Sequence, residues 1–329
     1  MRKKKNNKKP LASISLDLDN LWSYMKTHGE AGWEGYPSYF HIFIPRVLEV
    51  LEDLELKITF FVVGQDATFQ KNRRYLAQLS AEGHEVGNHS FWHEPWLNIY
   101  DRKRIEEEIK NAENAIIEVT GQKPLGFRGP GFCTSTHIFD ILIDLGYLYD
   151  ASVLPTFLGP LARAYYFKGA EFQNEEKKIR KGLFGSLRDG LRPTRPYFWK
   201  LPSGNKLLEI PITCVPLLKM PFHLSYLMYI ARYSKELMRF YLNFAISLCK
   251  LTRTPLSFLL HPLDLIGKED APEVAFFPAM DMERKRKRRI FLEVIETLAK
   301  HFRLVSMNVF AEHILREKED IMARNYRIQ

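Results

Sequence analysis

Asp17 and Asp19 stand two residues apart in SISLDLDN, and His89 and His93 stand four apart in GHEVGNHSFWHE. Arg128 follows in GFRGPGF and His261 in LLHPLD. Carboxylates and neutral imidazoles are ligands for a zinc-type cation, and two His with one carboxylate leave a coordination position open to water. Such a set takes up one Asp and leaves the other as a base beside that water, with His261 to protonate a leaving group. These are the parts of a hydrolase. Each piece alone also has a purely structural reading: a D-x-D pair often caps or turns a chain, and the His pair, with Trp92 and Trp96 nearby, is also suited to packing. On a helical turn, the i,i+4 spacing of His89 and His93 places both rings on one side.

The polar residues gain force from the elements that must carry them. Short β-branched or apolar runs alternate with amphipathic helical patterns, the signature of a parallel α/β sheet. Strands are expected at Ala12–Leu18, Lys57–Val63, Glu85–Asn88, around Phe127, and at Tyr147–Asp150, Leu207–Ile212, Ser257–Leu260 and Arg303–Ser306. Helices are expected at Tyr39–Leu54, Arg73–Glu82, Arg102–Thr120, Thr136–Leu145, Ser225–Leu251 and Glu283–His301, with a further one at the C-terminus. Gly83, Gly121 and Gly146 close three of them, as residues that accept the left-handed conformation do. The expected fold is a distorted (β/α) barrel of about seven parallel strands. It has a basic tail over 1–10 and a single domain over 11–329, with helical and loop insertions around 156–204 and 216–251. The candidate residues all fall at C-terminal strand ends, which in a barrel share one rim.

Six segments in order resemble the polysaccharide deacetylases, the group with NodB homology also called carbohydrate esterase family four. SLDLDN stands at the paired-Asp motif, NHSFWH at the metal motif, and GFRGPGF at the R-x-P motif. GYLYDAS, LEIPIT and LLHPLD follow in the family's order. The resemblance implies Asp17 as general base, Asp19, His89 and His93 as metal ligands, and His261 as general acid. It implies that Arg128 orients Asp17, that Asp150 supports the site, and that a backbone N–H near Phe132 helps hold the oxyanion. The cofactor would be one divalent ion, zinc first, with cobalt, manganese, nickel or iron compatible with the same ligands. The substrate would be an N-acylated amino sugar. Leu18 separates the two Asp, and Asn20-Leu21-Trp22 follows where the family usually has Gly. These departures resemble the intracellular branch.

The chain has 329 residues, 46% of them hydrophobic and 26% charged, which excludes disorder, collagen and coiled coil. Three Cys form no C-x-x-C pair, so a disulfide scaffold and a thiolate zinc site are not expected. LASISLDLDN follows the basic N-terminus where an export signal would need an unbroken apolar run, so a cytoplasmic location, peripheral on the inner membrane face, is the expectation. A formal net charge of +9 asks for an anionic partner, and no motif for reading nucleic acid accompanies it. Gly182–Lys200 mixes aromatics with Arg188, Arg192, Arg195 and Trp199, candidates for substrate or anion binding. Met220–Leu251 is apolar with a basic patch, and Glu283–Arg289 has six consecutive basic residues. Gly182–Lys200 and Met220–Leu251 fit either a solvated loop and a packed helix or an element lying in an anionic membrane interface. The basic run fits either a solvated face or a bound anion, whether lipid headgroup, sugar phosphate or nucleic acid. The reading is therefore a metal-dependent deacylase acting on a lipid- or polyprenyl-phosphate-linked amino sugar. A deformylase or linear amide or imide hydrolase is the alternative on the same ligand set. From other classes come a barrel glycosidase, which leaves the His residues unexplained, and a catalytically silent module binding anionic lipid or nucleic acid. Oligomeric state is open.

Overall fold

The computed structural model describes residues 9–168 and 179–326, with side chains described as far as residue 317. Its strands are β1 (Leu11–Leu18), β2 (Thr59–Val62), β3 (Glu85–Asn88), β4 (Gly126–Phe127), β5 (Tyr149–Asp150), β6 (Tyr197–Lys200), β7 (Lys206–Glu209), β8 (Leu256–Leu260) and β9 (Arg303–Val305). They form one sheet in the order β6-β7-β5-β4-β3-β2-β1-β8, with β9 pairing β1. Every pairing is parallel except that of β6 with β7. The expected α/β architecture is thus present, with β6 as an antiparallel edge inside the segment read as an insertion. No ladder joins β7 to β8. Instead the Thr213 N–H donates to Ser257 O (3.0 Å) and the Ser257 N–H to Thr213 Oγ1 (2.7 Å), so the curled sheet is bridged there without being closed.

β1 shows how the sequence builds both sides of this sheet. Ala12, Ile14, Leu16 and Leu18 join the main apolar core, while Ser13, Ser15 and Asp17 occupy the alternate positions, also buried. Side chains in a strand alternate between faces, so the two-residue spacing that separates apolar from polar also carries Asp17 and Asp19 to one side. The helix Phe40–Asp53 covers the apolar side with Phe40, Phe43, Ile44, Val47, Leu48 and Leu51, at helical spacing. Each such side chain, fully buried, contributes about 1.5–3 kcal/mol.

Register aligns the strand ends. Leu18 pairs Val62, Val62 pairs Asn88, Asn88 pairs Phe127, Phe127 pairs Asp150, Asp150 pairs Glu209, and Glu209 pairs Tyr197. Asp19, His89 and Arg128 therefore each sit one residue beyond the same row.

Two expectations about helices change. The single helix over Ser225–Leu251 is two, Leu224–Tyr233 and Lys235–Leu251, because Ser234 turns extended and its hydroxyl accepts the Leu237 N–H (3.1 Å) as an N-cap. The basic run is not wholly a solvated face. Lys287 is 1% exposed in the helix Arg284–His301, and its ammonium donates to Leu263 O (2.7 Å) and Ile266 O (2.8 Å). Burial pushes its pKa down to about 8. Cys133, Cys214 and Cys249 are buried and free. Among the described residues no helix is long and apolar enough to cross a membrane.

Candidate active site

The turn after β3 does not place its two His as the i,i+4 spacing suggests. It is a loop, with Ser90 at φ 60° and His93 at φ 48°. The amides that a helix would bond internally are taken elsewhere: Asn88 Oδ1 accepts the Ser90 N–H (2.9 Å), and Glu108 Oε2 accepts those of Phe91 (3.1 Å) and Trp92 (3.0 Å). Both rings still reach Asp19. Its Oδ1 lies 2.9 Å from His93 Nε2 and 3.3 Å from His89 Nε2, with all three residues buried. His89 Nδ1 is 2.6 Å from Arg128 O, which fixes that ring so that Nε2 is the nitrogen presented.

A cation suits this trio on two grounds. Asp19 Oδ1 is buried and, although close to both imidazoles, has no aligned hydrogen-bond donor, so three lone-pair atoms converge within 4.8 Å without satisfying one another. Electrostatics point the same way. Burial would raise the Asp19 pKa, yet the two imidazoles hold it well below the carboxylate range. Burial would lower that of His89, yet Asp17 and Asp19 outweigh it and raise it. His93, more affected by burial than by Asp19, is lowered. A pocket that draws a proton onto one of its imidazoles is one that welcomes positive charge.

Asp17 lies beside the trio and is held differently. Its Oδ1 accepts from Arg128 Nη1 (2.6 Å), and its Oδ2 is 4.0 Å from His261 Nε2. Arg128 is fully buried and its donors are spread over the interior: Nε to Ala151 O (2.9 Å), Nη1 also to Ser15 Oγ (2.9 Å), and Nη2 to Met307 Sδ (3.5 Å). Its guanidinium carbon sits 4.4 Å from the Phe61 ring centroid. A planar fork fills these directions at once, which an ammonium could not. Asp150 supports the same loop indirectly: its Oδ1 accepts the Ser152 hydroxyl (2.6 Å), whose oxygen accepts the Gly129 N–H (2.7 Å).

The remaining candidates divide. The Phe132 N–H donates to Gly129 O (3.0 Å) within the Pro130–Phe132 turn, so its own amide is already used. Trp199 stacks on Phe139 (4.5 Å between centroids) and donates to Glu209 Oε2 (2.9 Å), a packing role at the sheet edge. Arg192 pairs with Asp189 (2.7 Å), and Arg195 donates to Thr252 O. Arg188 is exposed. None of these four is in contact with the Asp17, Asp19, His89, His93 and His261 group.

Several residues escape the sequence reading. Ser225 Oγ is 3.0 Å from His261 Nδ1, and Asp264 Oδ2 accepts the His261 N–H (2.8 Å). Glu209 is buried against Asp150, and burial together with that carboxyl raises its pKa well above the usual range. Asp66, pushed up to about 7 by burial, accepts from Asn20 Nδ2 (2.6 Å), Trp22 Nε1 (3.0 Å) and Asn72 Nδ2 (3.1 Å), and so anchors the segment after Asp19. Asp66 and Glu209 both stand just past or at strand ends, a signal available in the sequence. Ser225 has none, since only folding carries it to His261.

Residues 32–149 match the family model described as Polysaccharide deacetylase. Over that stretch the chain is similar to the polysaccharide deacetylase family. It is 33% identical over 111 residues to a peptidoglycan-N-acetylmuramic acid deacetylase of Bacillus subtilis, covering 33% of this chain and 41% of that one. It is 32% identical over 105 residues to a peptidoglycan-N-acetylglucosamine deacetylase of Bacillus cereus, covering 32% and 47%. The chain thus spans less than half the length of these two curated relatives. Among solved structures, a putative polysaccharide deacetylase from Mycobacterium smegmatis superposes with a TM-score of 0.54 at 17% identity, over 94% of this chain and 95% of that one. At that identity the likeness is one of fold. The family match itself takes in His89, His93 and Arg128, while Asp17, Asp19 and His261 lie outside it and join them through the sheet.

Proposed function

We propose that this protein is a polysaccharide deacetylase that hydrolyses the N-acyl amide of an amino sugar carried on a lipid or polyprenyl phosphate. A divalent cation, zinc first, would be held by Asp19, His89 and His93. The observation that carries the reading is the convergence of those three buried side chains, with Asp19 Oδ1 left without a hydrogen-bond partner. When bound, the cation would polarise the acyl carbonyl and make a water at its open position easier to deprotonate.

The protein's own groups supply the proton traffic. Asp17 commits Oδ1 to Arg128 and keeps Oδ2 free, which makes Oδ2 the acceptor for the proton of the attacking water. His261 is engaged at Nδ1 by Ser225, leaving Nε2 to donate to the departing amine. Water adds to the acyl carbon, the carbon–nitrogen bond breaks, and the products are the free acid and the amino sugar. Arg128 takes no part in the transfer. It holds Asp17 in place and aimed, a role that full burial and fixed donors suit. Relatives named for deacetylation of peptidoglycan, chitooligosaccharide and chitin support the N-acetyl amino-sugar class.

The test pairs metal content with product formation. Purified without a His tag, the wild type is expected to carry about one divalent ion per chain, lost in His89→Ala/His93→Ala. It should release free amine from N-acetyl amino-sugar substrates, soluble and polyprenyl-linked, and Asp17→Asn should abolish this. Release from N-formyl but not N-acetyl sugars would correct the acyl group. A wild type loaded with zinc, cobalt or manganese that cleaves none of these substrates would refute the reading.

A further inference from the structure

The loops beyond the C-terminal ends of β5 and β7, and the one entering β6, carry a rim of apolar side chains that the core does not use. Leu161 is 67% exposed, Leu187 61%, Leu191 77% and Leu217 82%, with Phe157 and Leu218 exposed beside them. The three segments touch one another. The Phe157 ring lies over Gly190 so closely that a Cβ there would meet it at 2.3 Å, and the Lys219 ammonium donates to Arg192 O. The Phe184 N–H donates to Gly131 O (3.2 Å), which ties the rim to the turn that follows Arg128. By the register of the strand ends, this is the side on which Asp19, His89 and His261 emerge.

Leu217 adds a backbone argument. Its φ is 69°, a conformation that suits Gly or Asn and is strained for a leucine. The side chain stands largely in water, so its burial does little to offset that strain. Charge then selects the occupant. Residues 151–168, 179–196 and 210–223 contain eight Lys or Arg and a single acid, Asp189, which is already paired with Arg192. Two copies of such a face would repel each other, whereas an anionic surface would be attracted.

We propose that this rim docks on an anionic phospholipid bilayer, with its leucines in the headgroup–acyl boundary and the site mouth opening onto the lipid surface. The inference rests on the lipid-linked reading above for its purpose and on the exposed side chains and their charge for its location. It is tested by flotation of the full-length chain with vesicles of phosphatidylcholine alone or with about a third phosphatidylglycerol, at low and high salt. The wild type should float with the anionic vesicles, less so at high salt, and little with the zwitterionic ones. Leu191→Glu/Leu217→Glu, changing two exposed positions, should bind at least about tenfold more weakly while hydrolysing a water-soluble N-acetyl amino-sugar oligomer at the wild-type rate. Equal binding by wild type and variant, or no binding by wild type, would overturn the proposal. So would a wild-type dimer on gel filtration that the variant converts to monomer, since the rim would then belong to a second copy. Vesicle binding by a protein that hydrolyses nothing would establish the docking surface and remove the hydrolase reading alone.

Discussion

Replacing Arg128 by methionine tests how the interior of this protein is held together. The side chain is fully buried, pairs Asp17 at 2.6 Å, and also donates to Ser15 Oγ, Ala151 O and Met307 Sδ. Methionine fills much of the volume and removes the charge together with every donor. Asp17, 3% exposed, would remain as a buried carboxylate with its countercharge gone. Breaking a buried pair from one side costs about 3–5 kcal/mol, most of it from the partner left uncompensated. Arg128→Met should lower unfolding free energy by that amount in urea titrations at neutral pH. Arg128→Lys keeps the charge without the fork and should lose less. Asp17→Asn/Arg128→Met is the informative double variant: with no carboxylate to strand, it should be less destabilised than the two single losses added together. A loss under about 1 kcal/mol for Arg128→Met, or strict additivity in the double variant, would mean that the ion pair does not hold the interior as argued.

Other expectations follow from neighbouring groups. His84 is buried, accepts the Ile58 N–H at Nδ1 (3.2 Å), and has its pKa pushed down to about 4 by burial and by Lys57. Between that value and its ordinary 6.5 the unfolded chain binds the proton and the folded one does not. Stability is therefore full above pH 6.5 and falls as pH drops toward 4, by up to roughly 3 kcal/mol. Urea titrations from pH 7.5 to 4 on wild type and His84→Gln should show a shallower slope in the variant, and equal slopes would remove His84 as the cause. Ser225→Ala should cut kcat by roughly tenfold with little change in KM, and shift the pH profile of kcat, because Ser225 positions His261 without touching substrate. Ser225→Thr, which restores the hydroxyl, should recover most of the rate; recovery absent, the loss would be one of packing. Added zinc should raise the Tm of the wild type and leave that of His89→Ala/His93→Ala unchanged, and an equal rise in both would place the ion elsewhere.

The legible part of this protein is what alternation and spacing encode. β1 announces itself by apolar residues at 12, 14, 16 and 18, and the same period puts Asp17 and Asp19 on one side. Most of the strands, the longer helices and the order of the motifs follow from local pattern, since burial of a repeating stripe is a property of neighbouring residues; the short helices Leu21–His28 and Gly159–Tyr166 do not. Conformations that depend on distant partners do not show in that pattern. The His89 to His93 loop departs from a helical turn because Glu108, on another element, takes its amides. Lys287 reads as one more charge in a basic run until Leu263 O and Ile266 O are brought against it. Trp199 looks like a binding aromatic until Phe139 stacks on it, and Ser225 carries no mark until the helix Leu224–Tyr233 sets it beside His261. Sequence determines which residues lie on a buried face, because that depends on periodicity along the chain. Only tertiary structure decides which groups meet there, because hydrogen bonds and ion pairs between residues a hundred positions apart exist only once the sheet has curled.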